Sequence, residues 1–156
     1  MKSTAKKRLG CFMLIGICLL AVGCTTNVSR FQMPDTDLSK VRALYIRPLD
    51  DEREAVELRS LIETNLSRRG FQLAVNDQSL DSSEGDFIFD IAADWHWDLA
   101  WYLLELRVAI YDPNDSTLIA QAQSQQTSFA RQSIEVIVER AMASLFDDNQ
   151  EPSGEE

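Results

Sequence analysis

Asp94, His96 and Asp98 stand at alternate positions around the sole histidine of the chain, and they are the first place to look for chemistry. In an extended segment, alternate residues share one side and stand ~6 to 7 Å apart. Two carboxylates and an imidazole are ligand types that suit a divalent cation. On a straight strand, however, such side chains diverge, and tetrahedral or octahedral sites gather ligands from more than one element. A solvated strand face is the simpler reading, so no metal and no cofactor are expected. Nucleophilic chemistry is poorer still. Ser82, Ser83 and Ser133 have only His96 to serve as a base, and none sits in a Gly-x-Ser-x-Gly elbow. The acids Asp50, Asp51, Glu54 and Glu57 fall where a helix N-terminus favours negative charge. There is no glycine-rich phosphate loop. No catalytic residue is expected, and the chain reads as a non-enzyme, with a lipid-anchored hydrolase as the rejected class.

Cys24 carries a different chemistry. Behind it lie Lys2, Lys6, Lys7 and Arg8, then the apolar or small residues 9–23. That is the order of a secretory signal. The apolar run falls short of the ~20 residues that span a bilayer core, which disfavours a stable membrane helix. The quartet Ala21-Val22-Gly23-Cys24 resembles the bacterial lipobox, with Ala21 where leucine is commonest. The resemblance implies that residues 1–23 are a signal peptide, that Cys24 becomes the lipidated first residue, and that the membrane is a partner through that lipid. Because Thr25 follows rather than aspartate, it also implies the periplasmic leaflet of a Gram-negative outer membrane. One acyl chain anchors only marginally, at ~0.8 kcal/mol per buried methylene, whereas several on one cysteine hold firmly. The alternative is an ordinary secretory signal with an incidental cysteine. Once Cys11 and Cys18 leave with the signal, no intrachain disulfide can form.

The full chain has 15 Lys and Arg against 25 Asp and Glu, a net charge of −10, and loses four basic residues with the signal. Such an acidic protein is a poor partner for nucleic acid or anionic lipid. Residues 24–40 are polar, contain Pro34 and lack periodicity, so they are expected to be a tether. Residues 41–46 read as an interior strand closed by Pro48. Ala55, Leu58, Leu61, Ile62 and Leu66 recur at helical spacing, and Gly70 stops that helix after Arg68 and Arg69. Phe71, Leu73 and Val75 alternate as a second strand. Residues 76–85 form a polar loop.

Phe87, Phe89, Ile91, Ala93, Trp95 and Trp97 then alternate with polar residues, which places them on a core face. Tyr102, Leu104, Leu106, Val108 and Ile110 are expected to face the same core, with Trp101, Leu103, Glu105 and Arg107 opposite. Asp112-Pro113-Asn114-Asp115 makes a turn, and residues 117–127 return with Leu118, Ala120 and Ala122 inward. Ser133 caps a last helix striped by Ile134, Ile137, Val138, Ala141 and Leu145. Residues 147–156 form an acidic tail expected to be disordered.

The expected architecture is thus a single α+β domain over residues 41–146, ordered β-α-β-β-β-β-α. It is a mixed sheet of about five strands with two helices on one face. In element order this resembles the small α+β lipoproteins of the Gram-negative envelope, such as the plug lipoprotein of the lipopolysaccharide-assembly barrel, and domains similar to the amino-terminal domain of TolB. The likeness rests on architecture rather than on a motif in Ala43-Leu44-Tyr45-Ile46 or Tyr111-Asp112-Pro113-Asn114. It implies a role in envelope assembly or maintenance.

The sheet face without helices is expected to carry Tyr45, His96, Trp101, Leu103 and Tyr111 among charged residues and glutamines. Tyr45, His96, Trp101 and Leu103 are therefore the candidate partner-binding residues, for another envelope protein or a second copy of the chain. Lipopolysaccharide or peptidoglycan is the competing partner class. The tryptophans could stack on sugars, and phosphate-bearing lipid would need Arg42, Arg47 and Arg107 to cluster. The lipid assignment is directly testable: wild-type protein expressed with a labelled fatty acid is expected to take up label and Cys24→Ala to take up none, so equal labelling would refute it.

Overall fold

The computed structural model of the protein describes residues 26–49, 53–74, 80, 85–129 and 131–146. The signal segment, Cys24, the capping aspartates Asp50 and Asp51, most of the loop after Ala74 and the acidic tail lie outside the described residues. The elements are β1 (Asn27–Gln32), β2 (Ala43–Ile46), α1 (Arg53–Arg68), β3 (Gln72–Leu73), β4 (Asp86–Asp98), β5 (Ala100–Tyr111), β6 (Leu118–Gln125) and α2 (Ile134–Phe146). The fold is α+β: six strands in the order β1-β6-β5-β4-β2-β3, with two helices. Strand β2 runs parallel to both β3 and β4, while the other neighbours are antiparallel.

The sixth strand corrects the reading of residues 24–40 as a tether. Asn27 to Gln32 pair residue for residue with Gln125 to Ala120, so this stretch forms a sheet edge. Its burial alternates because Val28, Arg30 and Gln32 turn towards the helices while Asn27, Ser29 and Phe31 turn away. A strand held by backbone hydrogen bonds to one neighbour needs no apolar run, which is why composition alone suggested a linker.

The core lies on one side of the sheet. Cross-strand partners share a face, so the rows Ile46–Phe89–Ile110–Ala120 and Ile91–Val108–Ala122 point together. Leu58, Ile62 and Leu66 of α1 join them in one buried cluster with Ile137, Val138, Ala141, Met142 and Leu145 of α2. The helices also meet each other. The Glu139 carboxylate accepts from Asn65 Nδ2 at 2.6 Å and pairs with Arg68 at 3.3 Å and Arg69 at 3.6 Å. Buried Asn65 is satisfied on its other side by Arg69 Nε, at 2.9 Å. Gly70, with φ +91°, ends α1 in the left-handed conformation that glycine adopts without penalty. The Ser133 hydroxyl bonds Glu135 and keeps that carboxyl below its ordinary range, with a backbone hydrogen bond as the smaller cause.

One irregularity overturns several side assignments. Asp94 pairs with Glu105, but Trp95 pairs with Leu103, which leaves Leu104 as an extra residue in β5. A bulge of this kind shifts the pleat by one residue. After it, Leu106, Val108 and Ile110 face the helices; before it, Leu103 and Trp101 do. Leu103, expected on the polar side, is 1% exposed in the core. Tyr102, expected inward, instead lies beside His96 on the helix-free face. Half-buried Leu104 belongs to no core row.

Chemical denaturation checks this arrangement. Leu106→Ala and Leu103→Ala are each expected to cost about 2 to 5 kcal/mol, as deletions from a packed core do. Leu99→Ala, at the exposed turn, is expected to stay within about 0.5 kcal/mol. A cost below about 0.5 kcal/mol for Leu106→Ala would mean that the sheet faces the other way.

Candidate functional site

The four candidate binding residues do not form one patch. Tyr45 and His96 do lie on the helix-free face. Tyr45 pairs with Ile88, however, and His96 is eight positions farther along β4, about 26 Å away. Trp101 stands on the opposite face, opposite Trp97, and Leu103 is buried. Two separate surfaces result.

The first is the middle of the helix-free face. Ile88 of β4 lies between Tyr45 of β2 and Tyr111 of β5, and Ala109 is buried in the next row. The Arg47 guanidinium sits 5.4 Å from the centre of the Tyr111 ring and 3.3 Å from Asp90. Phe31 extends the surface to the β1 edge beside Gln121. The result is an aromatic and aliphatic strip within a polar frame, with no helix of the described residues over it.

The second is the tip of the β4–β5 hairpin. Trp97 and Trp101 face each other across the strands with ring centres 5.7 Å apart, and they are 58% and 56% exposed. Trp97 was expected in the core; it lies on the core side but beyond the end of the packed cluster. Trp95 is half-buried and packs against that cluster. Leu99 at the turn is 92% exposed with φ +63°. A leucine there is unfavourable twice over, because the left-handed region suits Gly, Asn or Asp and water does not suit leucine.

The segment after β6 is fastened to the same tip. Arg131 pairs with Asp98 at 2.5 Å and stacks 4.3 Å from the Tyr102 ring centre, and the Tyr102 hydroxyl is 3.3 Å from Ser128 Oγ. Between these two ties lies Phe129, 90% exposed. Neither Leu99 nor Phe129 stood out in the sequence. A leucine in a turn position, and a phenylalanine within a run of polar residues, were the available signals.

The chemistry around these surfaces is that of charge pairing. Among the described residues, no group of three His, Cys, Asp or Glu side chains is placed to hold a metal ion. Asp98 is engaged by Arg131, and His96 packs edge-on to Tyr102 at 5.6 Å. Arg42, Arg47 and Arg107 each face an acid, namely Asp86 at 3.9 Å, Asp90 at 3.3 Å and Glu105 at 2.9 Å. They therefore do not gather into the phosphate-binding cluster that lipopolysaccharide would need. A cleft between β1 and the ends of the helices contains Asp37, Arg69, Phe71 and Phe146. Its acid is held below the usual carboxylate range, first by the Ser39 hydroxyl and then by the Ser39 backbone N–H. Asp37 is therefore a turn acceptor, with no proton to give near neutral pH.

No protein-family model and no curated protein matches the chain. Solved structures share its fold. A PelC dodecamer from Paraburkholderia phytofirmans superposes with a TM-score of 0.55 at 11% identity, covering 78% of this chain and 96% of that one. A DUF4136 family protein from Bacteroides thetaiotaomicron gives 0.52 at 9% identity, covering 76% and 93%. A PDZ domain protein from Parabacteroides distasonis also gives 0.52 at 9% identity, over 88% of this chain and 40% of that one. At such identities the likeness is one of fold.

The exposure of the tip predicts a fluorescence result. Replacing Trp97 and Trp101 with phenylalanine is expected to shift tryptophan emission to shorter wavelength and to reduce quenching by aqueous iodide, leaving the sheltered Trp95. Unchanged iodide quenching would mean that Trp95 is the accessible indole.

Proposed function

We propose that this chain is a lipid-anchored, non-catalytic lipoprotein that faces the periplasm from the Gram-negative outer membrane. In this reading it serves envelope assembly or maintenance by docking another envelope protein on the helix-free face of its sheet. The observation that carries the reading is the strip of Tyr45, Ile88, Tyr111 and Phe31. It crosses most of the sheet width, no helix of the described residues covers it, and paired charges frame it. Interfaces use this composition, with aromatic anchors at the centre and a polar rim. The sequence supports the membrane location through the lipobox-like residues before Cys24. The paired state of Arg42, Arg47 and Arg107 speaks against lipopolysaccharide as the ligand.

A second copy of the chain is the other occupant that a specific observation favours, because the similar PelC structure is a dodecamer. A photoreactive residue at Tyr45, activated in intact envelopes, separates these readings. One discrete heavier adduct with a different protein is expected, while an adduct at twice the chain mass would assign the face to self-association. A diffuse lipopolysaccharide ladder, or no adduct at Tyr45, Tyr111 or Phe31, would defeat the docking reading.

A further inference from the structure

We infer that the tip formed by Trp97, Leu99, Trp101 and Phe129 enters the interface of the bilayer that holds the lipid on Cys24, giving the domain a second membrane contact and a fixed orientation. The inference rests on the lipid-anchor reading of Cys24. Its geometric basis is the register of the sheet. Asn27 pairs with Gln125, Gln125 with Glu105, and Glu105 with Asp94, so these four residues form one row across the sheet. From that row β1 runs away from the tip, because Gln32 reaches the level of Ala120, Ile110 and Phe89. β1 therefore begins at the tip end of the sheet.

Cys24 is three residues before Asn27, a reach of at most about 11 Å. Trp97 is three residues past Asp94, about 10 Å along the strand. β1 and β4 are three strand spacings apart, about 14 Å. An acyl anchor on Cys24 thus holds against the membrane the end of the sheet that carries the exposed aromatics.

The composition of the tip fits that surface. Indoles favour the headgroup level, where an apolar ring and a polar N–H are both accommodated. Leu99 at the apex and Phe129, between the Ser128 and Arg131 ties to the hairpin, supply side chains for the first methylenes. Asp98, the acid next to the turn, is paired with Arg131. No helix of the described residues is long and apolar enough to cross a membrane, so this contact is interfacial. An acidic chain with such a tip suits a zwitterionic surface rather than an anionic one.

The test uses the lipidated full chain reconstituted into phosphatidylcholine vesicles whose acyl chains carry bromine near the glycerol end. Tryptophan emission is expected to fall relative to unbrominated vesicles, with the loss confined to the emission that W97F/W101F removes. L99D keeps both indoles and a turn-compatible residue, and is expected to weaken the quenching. Flotation and the mass of the N-terminal peptide report the anchor independently. Flotation without bromine quenching overturns the tip contact while the anchor stands. Quenching through Trp97 and Trp101 in a chain without acyl mass refutes the anchor and leaves the tip contact. Quenching that survives W97F/W101F, or shielding of the two indoles from iodide without bromine quenching, assigns the effect elsewhere and overturns the inference.

Discussion

The long antiparallel pairing of β4 with β5 is the constraint on which the rest of the structure depends. Its rows Phe89–Ile110, Ile91–Val108 and Ala93–Leu106 lay down a continuous apolar stripe, and both helices bury their own stripes against it. Removing such a surface from water is the main term holding the domain together, at roughly 25 cal/mol per Å². The neighbours on either side are placed by backbone pairing to this hairpin: β6 and then β1 on one flank, β2 and then β3 on the other.

The hairpin is also longer than the helices that cover it, and the bulge at Leu104 governs what happens in the excess. Without the extra residue, Tyr102 would turn to the core side and Trp101 away. With it, Leu103 closes the end of the core, and the two indoles emerge on the same side just beyond. Bulges commonly re-aim side chains at the margins of sheets. Here the consequence is an apolar tip braced from the other face by Tyr102, Arg131 and Asp98.

The two surfaces divide the molecule by chemistry. Around Tyr45 and Tyr111, aromatic groups are framed by ion pairs and glutamines, the mixture of a protein-binding face. At Trp97, Leu99, Trp101 and Phe129, large apolar groups project into solvent. Exposed ion pairs such as Arg107–Glu105 contribute at most about 1 kcal/mol to stability. Their more consequential effect is to leave the acidic surface without a free cluster of Arg42, Arg47 and Arg107.

The sequence by itself determined the class, the two helices and most of the core. Leu58, Ile62 and Leu66, or Phe89 and Ile91, repeat at periods that admit one buried side. It also made Cys24 the expected lipidation site, a reading that rests on the local order of charge, apolar run and small residues and needs no folded domain. Edge strand β1 was illegible because its stability comes from backbone bonds to β6, which any side chains permit. The sides of Trp101, Tyr102 and Leu103 were illegible for a related reason. An alternating pattern carries parity only up to a bulge, and the extra Leu104 exists solely as a mismatch between the lengths of two paired strands. Only the tertiary structure decided that Tyr45 and His96 belong to separate regions, and that the end of the sheet at which β1 begins is the one that carries the exposed indoles. Both facts are matters of strand register, a relation between distant segments that no local stretch encodes.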